Sequence, residues 1–412
     1  MKITQKLQLF LPGIFLLGFN IGTGSVTAMA KAGATYNMSL LWTVFVSCLI
    51  TYFMIVMYGR FTLITGETAL FSFRKYIHPI VGLFFVAALT INVCGSVIGV
   101  MGIISDICYE WSKGIVPGGI PPLYFALFFI TLVYVIFWNG KTQFFQRALA
   151  VMVAIMSASF ILNFFMLMPP PMEILRGMIP NIPAVAADQS KGSFLVIASM
   201  VGTTVFSGLF IIRTTLVKEA GWTIKDLRQE RRDAMVSALM MFLISGTIMS
   251  AAAGTLYIKG MGLSKAVQMV QLLEPMAGRF AVTIFVTGIV AAGVSSQFPN
   301  VLLLPWLLCD YNQSPREMTL PRYRIIVLLI SLLGLVVPVF NAPPVVVMIA
   351  SQAFGAIILP VTVLCIFYLS NQKKVMGEYM NSLTNNLLLI LIFLFAIYMS
   401  YNGIKGLLST FY

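Results

Sequence analysis

The sequence is short of charge. Only 9% of its 412 residues are Asp, Glu, Lys or Arg, 13 are acidic, and there is one histidine, His78. A soluble globular domain carries about 25% charged residues, so none is expected here. A single histidine excludes a histidine-based metal cluster within one chain. Five cysteines, Cys48, Cys94, Cys108, Cys309 and Cys365, follow no spacing pattern, which gives neither a disulfide framework nor a zinc site. Ser295–Ser296 has no histidine or lysine partner within its apolar segment, and no nucleophile motif is present; an enzyme is not expected. The glycine motifs sit in apolar segments rather than in strand–turn–helix units, so they are not phosphate loops. No cofactor is implied. The first apolar run lacks a small-residue cleavage pattern, so no cleavable signal peptide is expected.

What is present is apolar. Hydrophobic residues make up 59% of the chain, and stretches of about 20 mainly apolar residues recur, each long enough to cross a bilayer core of roughly 30 Å. The sequence predicts eleven spans, near 8–30, 38–58, 79–105, 122–138, 147–168, 194–215, 234–258, 280–308, 325–341, 345–369 and 384–404. This is the pattern of an all-α integral membrane protein whose first partner is the lipid bilayer. The net charge of +13 is read as orientation rather than nucleic-acid binding. Most of the basic residues fall on the side that holds the N-terminus, which makes the N-terminus cytoplasmic and the C-terminus external in a plasma (inner) membrane. The connection 168–193, "MPPPMEILRGMIPNIP" onward, is expected to carry a short external helix.

Two spans are interrupted. "FNIGTGSVT" (19–27) and "MVGTTVFSG" (200–208) both put Gly-Thr at mid-span, five helices apart. Glycine permits unwinding. Backbone groups freed at membrane depth survive only where they line a cavity or meet a ligand. With five helices between them, the two segments face opposite ways across the membrane, the pattern of an inverted repeat whose broken helices hold a substrate site. The expected organisation is a first repeat over 1–168, an external connection over 169–193, a second repeat over 194–369 and a C-terminal helix within 370–412. Close packing through small residues is the alternative for each break.

Four segments carry a resemblance. "AGATYNMSLLW" (32–42), "GTTVFSG" (202–208), "GVSSQFPNVLLLPWLL" (293–308) and "LSNQKKVMGEYMN" (369–381) occur in order along nearly the whole chain. Together they resemble the NRAMP (natural resistance-associated macrophage protein) divalent-metal transporters. The resemblance implies a LeuT-type fold, two inverted five-helix repeats plus one extra helix with helices one and six broken, working by alternating access as a secondary transporter. It also exposes departures. The family's Asp-Pro-Gly-Asn in helix one reads Gly22, Thr23, Gly24 and Ser25. Its Met-Pro-His in helix six reads Phe206, Ser207 and Gly208. Its acidic pair in helix three falls near Val93 and Ser96. The helix-ten glutamine is kept as Gln352.

All thirteen acidic residues are read to loops or span ends, so no carboxylate is expected near the midplane. Neutral hydroxyls and carbonyls stabilise a bare divalent cation poorly, and proton coupling normally needs a titratable group in the membrane. Three readings follow. One is a transporter of a divalent metal cation, Mg²⁺ or another, held with its water by Gly22, Thr23, Ser25, Thr203, Thr204, Ser207 and Gln352, with Phe206 as wall or gate and no proton coupling of the usual kind. A second is a Na⁺-coupled transporter of a small organic or anionic solute, with sodium at Gly22, Ser25, Ser295 and Ser296. A third is a non-transporting sensor or scaffold. Asn92 and Ser96 share a face of helix three and offer a hydrophilic path or simple packing. Arg213 is expected to snorkel to the inner interface. "KEAGWTIKDLRQERRD" (218–233) is expected to lie on anionic lipid as an interfacial helix.

Overall fold

The computed structural model describes residues 21–138, 170–181, 190–260, 263 and 267–411, with scattered positions between 151 and 165. Among them there is no strand. The helices are α1 (Thr23–Tyr36), α2 (Leu41–Thr65), α3 (Pro79–Ser112), α4 (Pro122–Trp138), α5 (Ser190–Thr204), α6 (Ser207–Glu219), α7 (Leu227–Ala252), α8 (Val267–Asn312), α9 (Pro321–Leu332, continued by short turns to Phe340), α10 (Pro344–Ser370) and α11 (Leu383–Phe411). Among the described residues, eight segments are long and apolar enough to cross a membrane, α5 and α6 together making one of them. α4 is a shorter apolar helix. The expected span 147–168 falls almost wholly outside the described residues, as does the first half of span one.

Helix ends follow local chemistry. α3, α9 and α10 each begin with proline in the first turn, where a missing N–H costs nothing. His78 caps α3 by accepting the Ile80 N–H on Nδ1. α2 stops at Gly66, whose φ of 67° closes the helix in the left-handed region while its N–H donates to Thr62 O at 2.8 Å. The expected short helix of this connection is present as Pro171–Gly177. It is pinned to the bundle by Asn37 Nδ2 donating to Glu173 Oε2 at 2.8 Å and by Trp42 Nε1 donating to Asn181 O at 2.9 Å.

The packing sets where a site can form. α8 and α10 both lie along α3, α5 lies along α10, and α7 lies along α1 and α2. The broken elements α1, α5 and α6 sit inside this frame, with α1 buried almost throughout and the α5–α6 span the most buried of the membrane-crossing segments. Exposed Leu, Ile, Phe and Val are carried by α4, α9 and α11 and by one side of α2, α3, α7 and α10. Small residues allow the closest approach. At Gly202 of α5 an added Cβ would run into the carbonyl oxygen of Gln352 in α10 and stand 2.9 Å from the Ala356 nitrogen.

Two expectations about charge are corrected. Arg213 does not reach the inner interface; it is fully buried in α6. Residues 227–233 do not lie on lipid as an interfacial helix; they are the first turns of α7, and Glu230 and Asp233 point into the protein against Arg213. The reason is mutual: the guanidinium and carboxylates neutralise one another inside, so neither has to reach water. The exposed basic residues of 218–233 are Lys218, Lys225, Arg228, Arg231 and Arg232.

Candidate functional site

Helix six is broken at Val205 and Phe206, which separate α5 from α6. Of span one, Ile21 and Gly22 form a bend, and Gly22 is extended (φ −103°, ψ −172°) before α1 starts at Thr23. The helix-six interruption is shorter than expected. Thr23, Gly24 and Ser25 lie in the first turn of α1, and Thr203 and Thr204 in the last turn of α5. The two irregular points flank a small cavity lined by Gly22, Gly24, Ser25, Asn92, Ser96, Thr203, Phe206, Ser296, Asn300 and Gln352.

Among the described residues, none that lines the cavity is ionisable. The polar atoms are three amides and several hydroxyls, carried by α1, α3, α5, α8 and α10. Their partners fix them. Asn92 Nδ2 donates to Ser351 O at 2.7 Å and Ser351 Oγ donates back to Asn92 O at 2.9 Å, a reciprocal clamp between α3 and α10. Asn300 Nδ2 donates to Ser96 Oγ at 3.2 Å, tying α8 to α3. Gln352 Nε2 leans on Met348 Sδ at 3.4 Å and lies against Gly24, where a side chain would collide with it. Gly22 lies equally close against Ser296. Two helix N-termini, those of α1 and α6, start at this cavity, and their first-turn N–H groups have no partner within the helix. They supply partial positive charge there, while the C-terminus of α5 supplies the opposite.

The residues singled out from sequence divide. Gly22, Ser25, Thr203, Phe206, Gln352 and Ser296 line the cavity. Thr23, Thr204, Ser207 and Ser295 do not. Thr23 is buried with its hydroxyl against Gly293 of α8. Thr204 donates to Met200 O at 2.8 Å, and its own carbonyl accepts from Thr51 at 2.8 Å. Ser207 Oγ accepts from Thr362 at 2.7 Å. Ser295 donates to Ala292 O at 3.0 Å. Of these four, Ser207 ties α6 to α10, while the Thr204 and Ser295 hydroxyls bond back within their own helices. Asn300 and Gly24 were not singled out. Asn300 could have been, because it lies four residues after Ser296 on the same helix face.

At the end of α6 away from the break, polar contacts tie the elements together. Thr68 hydrogen-bonds to Asp310 of α8, and the Ala69 N–H donates to Thr214 Oγ1 at 3.0 Å. Arg316, in the connection after α8, pairs with Glu219 at 3.0 Å. Burial holds its guanidinium below the usual value, against the pull of the Glu219 and Asp310 carboxylates.

Compared with known proteins, residues 14–405 match the family model described as natural resistance-associated macrophage protein-like. The chain belongs to this family. Among NRAMP relatives it is 21% identical to the divalent metal cation transporter MntH of Staphylococcus saprophyticus, covering 94% of this chain and 89% of that one. The MntH of Yersinia pestis is 20% identical, with 93% and 91% covered. Among solved structures, a manganese transporter of Eremococcus coleocola superposes with a TM-score of 0.77 at 15% identity over 99% of this chain and 88% of that one. A Na⁺-coupled sialic acid symporter superposes with a TM-score of 0.64 at 12% identity over 97% and 89%. The fold is therefore LeuT-type and the protein is an integral membrane member of a transporter family.

Proposed function

We propose that this NRAMP protein is a secondary transporter that moves a divalent metal cation, Mg²⁺ or a similar hard ion, with water still bound to it, by alternating access. The observation that carries this reading is the uncharged amide-and-hydroxyl lining of the one cavity found at the helix interruptions among the described residues. Mg²⁺ gives up water reluctantly and keeps several waters in its protein sites. Neutral Asn92, Asn300, Gln352, Ser25 and Thr203 suit hydrogen bonds to such a water shell better than direct ligation of a bare ion. The positions where the family carries its aspartate and methionine are occupied by Gly22 and Phe206. The helix-three positions of its acidic pair hold Val93 and Ser96, so the usual proton route is not rebuilt there. In this reading two five-helix repeats, 1–168 and 194–369, rock about the cavity, joined by the external connection 169–193 and followed by the C-terminal segment 370–412. The N-terminus is cytoplasmic, the C-terminus external, and the membrane is the plasma (inner) membrane.

The test is flux. Purified protein in liposomes takes up Mg²⁺ or Mn²⁺, and Ser25→Ala combined with Thr203→Ala lowers the rate at least tenfold. A second reading has its own observation. Two helix N-termini meet at the cavity, which favours a carboxylate, and Ser296 lies against Gly22 where a Na⁺ with Ser25 and Ser295 nearby would sit. Absent divalent flux alongside Na⁺-dependent uptake of a small organic acid replaces the first reading with this one.

A further inference from the structure

Gln297 of α8 is the one buried amide among the described residues with both ends unpaired. Its exposure is 1%, and neither Oε1 nor Nε2 has a hydrogen-bond partner. The three amides that line the cavity are each engaged: Asn92 with Ser351, Asn300 with Ser96, and Gln352 with Met348. Thr23 of α1 shares the condition of Gln297. It is 0% exposed, and its Oγ1 has no partner. Both flank Gly293 of α8. A Cβ at Gly293 would stand 2.8 Å from Thr23 Oγ1. Gln297 follows Gly293 by four residues, about 6 Å along the same helix face. The other atoms nearest Gly293 are methyl carbons of Val100 and Ile104 on α3, which neither donate nor accept.

One contact separates this place from the cavity. Gly22 and Ser296 line the cavity and are the sequence neighbours of Thr23 and Gln297. They are pressed together, so that any side chain at Gly22 would strike Ser296 Cβ and Oγ. The Ser296 hydroxyl is spent within α8, donating to Gly293 O at 3.1 Å. The orphaned amide and hydroxyl therefore stand one residue behind the α1–α8 wall of the cavity. Leaving them unpaired at this burial costs free energy in the closed arrangement, a cost that an apolar side chain of the same shape would avoid. The chemistry they offer is specific. Gln297 Oε1 and Thr23 Oγ1 are acceptors. Water held by a cation turns its hydrogens outward, so acceptors are the partners it needs, and Mg²⁺ keeps several such waters.

We propose that Gln297 and Thr23 form a second station for the water shell of the cargo, behind the cavity and out of its reach until α1 parts from α8 at the Gly22–Ser296 contact. The hydrated cation then passes from the amides of Asn300 and Gln352 to Gln297 Oε1 and Thr23 Oγ1, which accept from its waters, while Gln297 Nε2 donates to water admitted by the same opening. The unpaired amide raises the energy of the closed arrangement and is relieved in transit. Gln297 acts on the rate of passage and not on the first binding step. This inference rests on the transport reading and assigns a side chain to a step which that reading leaves without one.

The experiment uses the full chain. Unfolding midpoints are measured in mixed micelles without divalent cation. Uptake into liposomes is followed over a range of concentrations of Mg²⁺ or Mn²⁺, whichever wild type carries faster. Gln297→Met is expected to raise the midpoint, because an orphaned amide is removed. It is also expected to cut the maximal rate at least fivefold, with the half-saturating concentration within twofold of wild type, because the cavity is intact. A midpoint that does not rise means that the amide is paired, and overturns the inference. A wild-type maximal rate, or a loss carried by weaker half-saturation, overturns it too. Thr23→Val is expected to behave in the same way, and the double variant to be no slower than the slower single one, since both remove one shared contact. Losses that multiply in the double variant mean two separate packing effects and overturn the shared station. If wild type moves neither cation, the transport reading falls and this inference with it; if wild type moves one and Gln297→Met matches it, this inference falls alone.

Discussion

Gly202→Ala tests the geometry on which the cavity depends. Gly202 precedes Thr203, a cavity residue on α5, and faces the backbone of Gln352, a cavity residue on α10. A methyl group at Gly202 would overlap the Gln352 carbonyl oxygen by about 1 Å, while standing 2.9 Å from the Ala356 nitrogen and 3.0 Å from the Gln352 carbonyl carbon. All three atoms are backbone and cannot rotate away, so the helices must part. Overpacking costs typically about 1–3 kcal/mol, and this case belongs at about 3 kcal/mol because no side chain can yield. Gly246 of α7 is the control: a methyl there meets nothing closer than Leu41 Cδ1 at 3.8 Å, and removing glycine from a helix interior stabilises by roughly 0.5–1 kcal/mol. The assay is reversible unfolding in mixed micelles, with flux measured on the same preparations. Gly202→Ala is expected to lose stability and flux together, and Gly246→Ala to lose neither. Wild-type stability in Gly202→Ala refutes the back-to-back packing of α5 and α10.

Gly22→Ala is expected to block flux by pushing into Ser296, and Ser296→Gly to restore it, since Ser296 Cβ is the obstacle; Ser296→Ala, which keeps that carbon, gives no rescue. Arg213→Met takes the buried Glu230 carboxylate's guanidinium away and is expected to lower stability by about 3–5 kcal/mol, as breaking a buried pair does, with part of the loss recovered when Glu230→Gln is added; unfolding midpoints decide it. Asn300→Ala frees Ser96 and is expected to slow cargo flux several-fold with a change in stability of about 1 kcal/mol. Removing the exposed partner of the Lys113–Glu110 pair, 2.8 Å apart, in Lys113→Gln is expected to change stability by less than about 1 kcal/mol.

Much of the scaffold was legible because burial in lipid demands long apolar runs, and these were read directly as α2, α3, α7, α10 and α11. The interruption in helix six was legible because "GTTVFSG" sets glycine and hydroxyls where an apolar span should continue. What each hydroxyl does was not. Thr203 and Thr204 are neighbours with the same chemistry, yet one lines the cavity and the other bonds to Met200 while its carbonyl is taken by Thr51 of α2. That choice is set by helix rotation against distant elements, which spacing along one helix does not encode. The Arg213 cluster was missed for a similar reason. Hydropathy treats each charge as a cost to be carried to water. Here Glu230 and Asp233 lie 17 and 20 residues beyond Arg213 on the next helix, and the turn between α6 and α7 brings them back to cancel it.

The account stands on cargo held, still wet, in a chamber without carboxylates. Crystals of the protein grown with Mn²⁺, or with Mg²⁺ exchanged for it, give an anomalous map that tests this directly. The expected result is a peak between Gly22 and Phe206, with the oxygens of Asn300, Gln352 and Ser25 reached through water and lying beyond the roughly 2.1 Å of direct ligation. A peak ligated directly by side chains at that short distance, or one found only away from this chamber, contradicts it.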